Sequence, residues 1–560
     1  MAGGANRFGR RFAGRDVGRP TGCGDADSEQ GAERRKLTSH RPLPLALFFR
    51  TGRNATASNG IYERPDAGIQ TTNGCLRQTE TLGANDNVKS RFGFVSRMVG
   101  NAVDRANPGG NKMANRFDVV ILGGGNAGFG VSAVAHEAGK SIAFVEELDF
   151  GGVCPNRGCT PKKVLVAAAH ALHEIEIAGA HGIDVGKPTL DWAKLIDREK
   201  DMIGFIPDAM EGVAKKRGEV FRGHARFVGA NAVDVGGTVI EGDNIVIATG
   251  SKPRPLPIPG AEHLITSDDV LSERTLPKDV VFIGGGVIAM EFGHVYARAG
   301  AKVTILEVMP SLLPRLDIDA VETVQRESER IGITVKTGVE VKEIASRNGR
   351  LHVVFQHEGE EQTVDADRVV NGAGRVANVD ALDLAAGNVA HDGIRVDVDD
   401  YLRSTSNPAV WVCGDALVTS AQLSPLATYE GRIVGRNIVD GPTVKPDYTV
   451  VPNCVYTVPA LSSVGLTEQE AKQQGLNVSV STNDMTGWFS GKSYAETVAW
   501  AKVLVDADTD RFVGAHMVGH QGEDLIHLFA MAMQHGIAAS RFKETMFAFP
   551  TFSSDAKNLF

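Results

Sequence analysis

The chain predicts an α/β fold made of two similar strand-helix units in series. A short apolar strand, Phe117 to Leu122, runs into the turn Gly123-Gly124-Gly125-Asn126-Ala127-Gly128. A helix rich in Ala and Val follows, and a second strand, Ile142 to Val145, ends on Glu146. The pattern returns where Val280-Val281-Phe282-Ile283 enters Gly284-Gly285-Gly286-Val287-Ile288-Ala289, a helix follows, and Val303 to Leu306 ends on Glu307. This is a duplicated architecture rather than a short tandem repeat.

Composition bounds what such a chain does. At 560 residues, 42% hydrophobic and 23% charged, it is long enough for several domains that each bury a core. The net charge of -9 argues against nucleic acid as a partner, because nucleic-acid binders carry a basic face. No apolar run approaches the roughly 18 residues needed to cross a bilayer; Leu43 to Phe49 is short and contains Pro44. No membrane role is expected. The 6 cysteines are too scattered for a secreted disulfide framework, which points to the cytoplasm.

Residues 1–112 are rich in Arg, Gly, Asn and Ser, lack sustained apolar periodicity and end in Asn107-Pro108-Gly109-Gly110-Asn111. They read as a disordered extension or as sequence upstream of a start near Met113. A transit peptide fits less well, because Asp16, Asp25, Asp27 and Glu29 interrupt what should be acid-poor. A first nucleotide unit is expected over 113–270 and a second over 271–372.

Each glycine in the turns has a physical task. Gly123 allows the tight turn, Gly125 lets a pyrophosphate approach the backbone, and Gly128 lets the helix pack on the strand. The free N–H groups and positive dipole end of the helix then face the phosphates. Gly284, Gly286 and Ala289 repeat the scheme. A glycine turn alone is a weak signal, since its ordinary reading is a sharp loop. Here both turns lie between strand and helix, and Glu146 and Glu307 follow about 20 residues on, where a carboxylate can hold ribose hydroxyls. Two Rossmann-like dinucleotide sites are expected. Glu307 also favours NADH, because a carboxylate repels the extra phosphate of NADPH and no Arg stands beside it in Leu306-Glu307-Val308-Met309-Pro310.

Chemistry enters with Cys154 and Cys159, separated by four residues in Gly151-Gly152-Val153-Cys154-Pro155-Asn156-Arg157-Gly158-Cys159-Thr160-Pro161-Lys162-Lys163. At a helix start this spacing can close a disulfide, and the helix dipole with Arg157, Lys162 and Lys163 favours the reactive thiolate. The ordinary alternatives are two inert thiols or a metal site. A structural zinc needs two further ligands at matching spacing, and none stands nearby, so no metal is expected.

This run resembles the active-site signature of the flavoprotein disulfide reductases, the family of glutathione reductase, dihydrolipoyl dehydrogenase and mercuric reductase. The resemblance extends from Arg116 to Phe560 through Ala248-Thr249-Gly250-Ser251, Gly372-Ala373-Gly374-Arg375, Cys413-Gly414-Asp415-Ala416 and Val464-Gly465-Leu466-Thr467-Glu468. It implies that the first unit binds FAD and is completed by a second segment over 373–448, that the second binds NAD(P)H, and that residues 449–560 are an α+β domain forming a homodimer interface. Gly152, Thr249, Gly250, Gly374 and Asp415 then join the cofactor-binding residues, with Asp415 at the ribityl chain. It further implies that electrons reach a disulfide in which Cys159 is nearest the flavin and Cys154 exchanges with substrate. A lysine of the Lys162-Lys163 pair, taken as Lys163 by alignment, ion-pairs with Glu291 beside the flavin.

One part of the pattern is broken. Disulfide-reducing members carry a C-terminal His-Pro-Thr followed by Glu, whereas this chain reads Phe549-Pro550-Thr551 with Ser554 at the Glu position. A phenyl ring moves no protons, which removes a contribution of typically ~10²–10⁴ in rate. Either Asp555 or His520 substitutes, or the acceptor needs little proton transfer, or it is not a disulfide. Mercury is disfavoured, since Lys557-Asn558-Leu559-Phe560 holds no cysteine pair. The leading expectation is a reductase of a small disulfide: Lys162-Lys163 resembles glutathione reductases, Glu307 and Leu313-Pro314-Arg315-Leu316-Asp317 resemble dihydrolipoyl dehydrogenases. The alternatives are a quinone or metal-ion reductase and a flavin-bound redox sensor.

Overall fold

The computed structural model describes residues 115–418 and 421–560; the readings made on residues 1–112 lie outside them. Its first sheet is centred on Asn115–Leu122, which pairs in parallel with Ile142–Glu146 on one side and Thr238–Ile247 on the other. Glu219–Arg222 extends one edge in parallel, and an antiparallel meander, Ala232–Val235 and Ala225–Gly229, extends the other. The strand Val410–Val412 returns much later in sequence to pair with Thr238–Ile247. Val119, Val120, Ile121 and Leu122 are all at most 1% exposed. Burial on both faces is what turns a parallel strand into an unbroken apolar run, and that run is the signal visible in the sequence.

The second sheet is parallel throughout, in the order Thr334–Lys336, Lys302–Leu306, Asp279–Ile283, Arg368–Asn371 and Leu264–Ile265. Leu264–Ile265 pairs with Arg368–Asn371, so the crossover into this unit begins before residue 271. A strand of two residues is too short to show alternation, which hides this step from sequence reading. A three-stranded antiparallel sheet, Glu340–Arg347, Arg350–His357 and Glu360–Ala366, completes the unit.

Residues 453–519 supply a third, antiparallel sheet ordered Asn453–Val455, Ala460–Gly465, Arg511–Gly519, Ala499–Asp506 and Val478–Asp484. The helix Gly522–Gln534 packs on two of its strands, and Val464, Ala501, Val503 and Phe529 fill the space between with almost no exposure. Among the described residues no helix is long and apolar enough to cross a membrane.

Candidate active site

The two glycine turns are built alike down to their acids. Behind the first turn, a side chain at Gly128 would place its Cβ 2.2 Å from the Gly123 carbonyl oxygen and 3.0 Å from Ile121, so only hydrogen lets the helix Asn126–Glu137 sit on its strand. Glu146 accepts the N–H of Gly124 at 2.7 Å on one carboxylate oxygen and that of Leu148 at 2.7 Å on the other. Glu307 repeats this with the N–H groups of Gly285 and of Met309, the latter at 2.7 Å, and is 7% exposed. Each carboxylate keeps free lone pairs after two such bonds, which is what a ribose hydroxyl requires.

Between the turns lies the cysteine loop. Gly151 pairs with Gly125 in an isolated parallel bridge. Gly152 takes φ +72°, and a Cβ there would fall 2.8 Å from the Gly125 Cα, so the loop meets the first turn backbone to backbone. Phe150, fully buried against Phe144 and Phe129, anchors it from below. Asn156 donates to the Phe150 carbonyl at 2.9 Å, and Arg157 ion-pairs with Asp268 at 3.3 Å and Asp149 at 3.8 Å. Cys154 lies in the short helix Val153–Arg157, and Cys159 is the first residue of the 19-residue helix Cys159–Ile177.

The two thiols share one hydrogen bond, which makes them unequal. The Cys159 thiol donates to Cys154 and pulls it down to about 6 against the opposing effect of burial, with Ser424 and Asn126 adding to the stabilisation. Cys159 is pushed up by the same bond, by burial and by the charge on Cys154, while Lys162 opposes the rise. The pair therefore loses a first proton easily and a second with difficulty.

The expected pairing of Lys163 with Glu291 is corrected here. Lys162 Nζ lies 2.8 Å from Glu291 Oε1, with both side chains buried, and the same carboxylate accepts the Tyr456 N–H at 2.8 Å. Lys163, about 100° further round the helix, is half-exposed, lies 3.6 Å from Glu523 and caps the Tyr456 ring at 3.9 Å. Positions 162 and 163 are three and four residues from Cys159 and both neighbour it on the helix surface; what separates them is packing, which turns Lys162 to Glu291 and Lys163 to Glu523 in the C-terminal domain.

One cavity of about 1320 Å³ collects the sequence-predicted residues. Gly123, Gly125, Glu146, Gly152, Cys154 and Cys159 line it, with Thr249, Gly250, Gly286, Gly374 and Asp415. Gly284, Ala289 and Glu307 build the second turn outside its walls, and Gly128, Glu291 and Lys163 also stand behind the lining. Thr249 Oγ1 is buried with no hydrogen-bond partner among the described residues. Burial raises the Asp415 carboxyl, which among the described residues accepts only the Ser251 hydroxyl, at 3.0 Å. An orphaned hydroxyl and a poorly paired carboxyl facing a long cavity fit a polyhydroxylated nucleotide such as FAD. Among the described residues no cluster of His, Cys, Asp or Glu is arranged to hold a metal ion.

The C-terminal motif is present without its acid–base groups. Phe549 is 81% exposed. Ser554 caps its own short helix: its Oγ donates to the Thr551 carbonyl at 2.7 Å and accepts the Thr551 N–H at 3.1 Å. His520 pairs with Glu496 at 3.0 Å and stacks at 5.0 Å on Phe552, three residues from Phe549. Asp555 closes the helix Phe552–Asp555. The Tyr456 N–H and the Arg157–Asp268 ion pair escaped sequence reading, because each joins segments more than 100 residues apart.

A family model described as pyridine nucleotide-disulphide oxidoreductase matches residues 117–431, and the model of that family's dimerisation domain matches residues 451–559. The chain belongs to this family. It is 32% identical over 463 residues to a dihydrolipoyl dehydrogenase of Cupriavidus necator, covering 79% of this chain and 96% of that one. A dihydrolipoyl dehydrogenase of Chlorobaculum parvum is 30% identical over 451 residues, again 79% and 96%. The Cu(II) complex of the HOCl-induced flavoprotein disulfide reductase RclA from Escherichia coli matches with a TM-score of 0.71 and 26% identity, covering 80% of this chain and 99% of that one. This pyridine nucleotide-disulphide oxidoreductase is thus an FAD-dependent enzyme that uses NAD(P)H, and its C-terminal residues form a dimerisation domain.

Proposed function

We propose that this oxidoreductase works as a homodimer in the cytoplasm and uses NADH to reduce a small disulfide of the lipoyl or glutathione-disulfide type. The observation that carries this reading is the hydrogen-bonded Cys154–Cys159 pair on the cavity wall, backed by the buried Lys162–Glu291 ion pair. Bound FAD supplies two-electron exchange with the pyridine nucleotide and with this pair. Gly123, Gly125, Glu146, Gly152, Thr249, Gly250, Gly374 and Asp415 are the residues to hold it, and Gly284, Gly286, Ala289 and Glu307 those to hold the nucleotide. NADH is favoured because both Glu307 oxygens are pinned by backbone N–H groups, which fixes a negative charge where NADPH carries its extra phosphate.

The exchange follows from the two unequal thiols. The Cys154 thiolate attacks one sulfur of the acceptor, forms a mixed disulfide and releases the first thiolate. Cys159 then gives up its proton, attacks the Cys154 sulfur and releases the second thiolate, which restores the Cys154–Cys159 disulfide. The Cys159 proton ends on one product thiol, and the other product thiol takes from solvent the proton that Cys154 had already given up. The second step needs Cys159 to lose its proton: the charge on Cys154 no longer opposes that loss in the mixed disulfide, but burial still does and position 549 offers no base.

That deficit supports a second reading, in which the acceptor is a metal ion or quinone that takes electrons without thiol protonation. Phe549 is the observation behind it, and the Cu(II)-complexed relative has the same fold. Anaerobic visible spectra with NADH test the first reading: a long-wavelength thiolate-to-flavin band supports it, and simple bleaching of the flavin overturns it. Cys154→Ser then separates acceptors, abolishing lipoamide turnover while direct reduction of a quinone persists.

A further inference from the structure

Lys502 is 1% exposed in the middle of the dimerisation-domain strand Ala499–Asp506, yet its ammonium lies among three carboxylates. Its Nζ stands 3.0 Å from Asp317, 2.5 Å from Asp319 and 3.0 Å from Glu468. Asp317, 2% exposed, is the N-cap of the helix Ile318–Arg330 in the second nucleotide unit, and Glu468 opens the helix Glu468–Gln473 in the dimerisation domain. Its charge therefore joins two domains through acids that repel one another without it. These bonds hold the ammonium firmly protonated against burial.

The chain that leads into this cage is part of the cavity wall. Leu313, Pro314, Arg315 and Leu316 line the same cavity as Gly286 and Val287 of the second glycine turn. The Leu313 N–H donates to the Gly285 carbonyl at 3.1 Å, so the segment runs along that turn. Leu313 takes φ +44°, a conformation a leucine adopts only when its surroundings impose it. One end of the four-residue segment is tied to the turn, and the other ends on Asp317. Arg315 is exposed on this wall and makes no ion pair among the described residues.

We propose that Lys502 is a positioning residue for pyridine-nucleotide binding: by clamping Asp317 it holds Leu313–Leu316 against the second glycine turn, so that Arg315 presents its guanidinium to the phosphates of the dinucleotide. The proposal rests on the second turn being the pyridine-nucleotide site. An unpaired guanidinium is suited to phosphate through its planar fork of donors, and the clamp fixes where that fork points.

Binding of NAD⁺ and NADP⁺ to the oxidised, FAD-loaded protein, followed by titration calorimetry, tests this without turnover. Lys502→Met should weaken nucleotide binding by about tenfold, whereas Lys502→Arg, which keeps the charge, should stay within about threefold. Arg315→Gln should weaken binding several-fold and flatten its dependence on salt, as loss of one phosphate contact requires. Reduction of the protein by dihydrolipoamide reports the cysteine side and should not change in any variant. Lys502→Met with unaltered secondary structure and the parent's affinity would overturn the proposal. If that variant does not fold, Arg315→Gln decides alone, and parental affinity with an unchanged salt slope sinks the idea. A parent protein that binds neither nucleotide overturns the assignment of the second turn itself, and the proposal with it.

Discussion

Lys162 Nζ and Glu291 Oε1 stand 2.8 Å apart, and the two residues come from different nucleotide units, one on the helix that begins at Cys159 and the other on the helix of the second glycine turn. Lys162→Met removes the cation and leaves Glu291 as a buried anion held by the Tyr456 N–H. The expected cost is about 3 kcal/mol. Lys163→Met, at a half-exposed site, should cost less than about 1 kcal/mol. Thermal melts of the two FAD-loaded variants check this, and equal losses would contradict the assignment of Lys162.

The unequal thiols predict a pH profile. Alkylation of the reduced protein by iodoacetamide should follow a thiolate half-formed at about pH 6, because the hydrogen bond from Cys159 lowers Cys154 to that value. Its rate should hold above that pH and fall below it. In Cys159→Ala no donor faces Cys154 from that position, and the midpoint should move up. A parental midpoint near the ordinary thiol value of about 8.5 would remove the basis for Cys154 as attacking sulfur.

Glu307 predicts cofactor choice. Catalytic efficiency with NADH should exceed that with NADPH in the parent enzyme, and Glu307→Ser should narrow the gap by roughly tenfold. Steady-state kinetics with both nucleotides decide it. A parent that prefers NADPH would show that the pinned carboxylate does not govern selection.

Restoring the missing groups tests the acceptor. Phe549→His with Ser554→Glu places an imidazole and a carboxylate on a segment already capped by Thr551. Lipoamide turnover should rise by about 10²-fold and acquire a pH dependence near the histidine range. No gain, together with NADH-driven reduction of an added metal ion by the parent, would favour a metal ion as acceptor.

The elements that sequence resolves best are those whose signal is local. The strand Asn115–Leu122 and its glycine turn announce themselves because burial on both faces writes an apolar run next to a turn that tolerates no side chain. Cys154 and Cys159 are legible for the same reason, being close in sequence and at a helix start. Lys162 against Lys163 was not, since adjacent helical residues differ only in direction, and direction depends on what packs there. The cage around Lys502 is still less visible: Asp317 and Lys502 are joined across a separation of 185 residues, with no spacing rule to link them.

The Tyr456 N–H that completes Glu291 belongs to the dimerisation domain, which is synthesised after both nucleotide units. The ribosome therefore releases the cysteine helix, both glycine turns and Glu291 long before the donor that finishes this carboxylate exists, while earlier domains already fold as units. A chain ending at residue 448 should leave Glu291 one hydrogen bond short, held by Lys162.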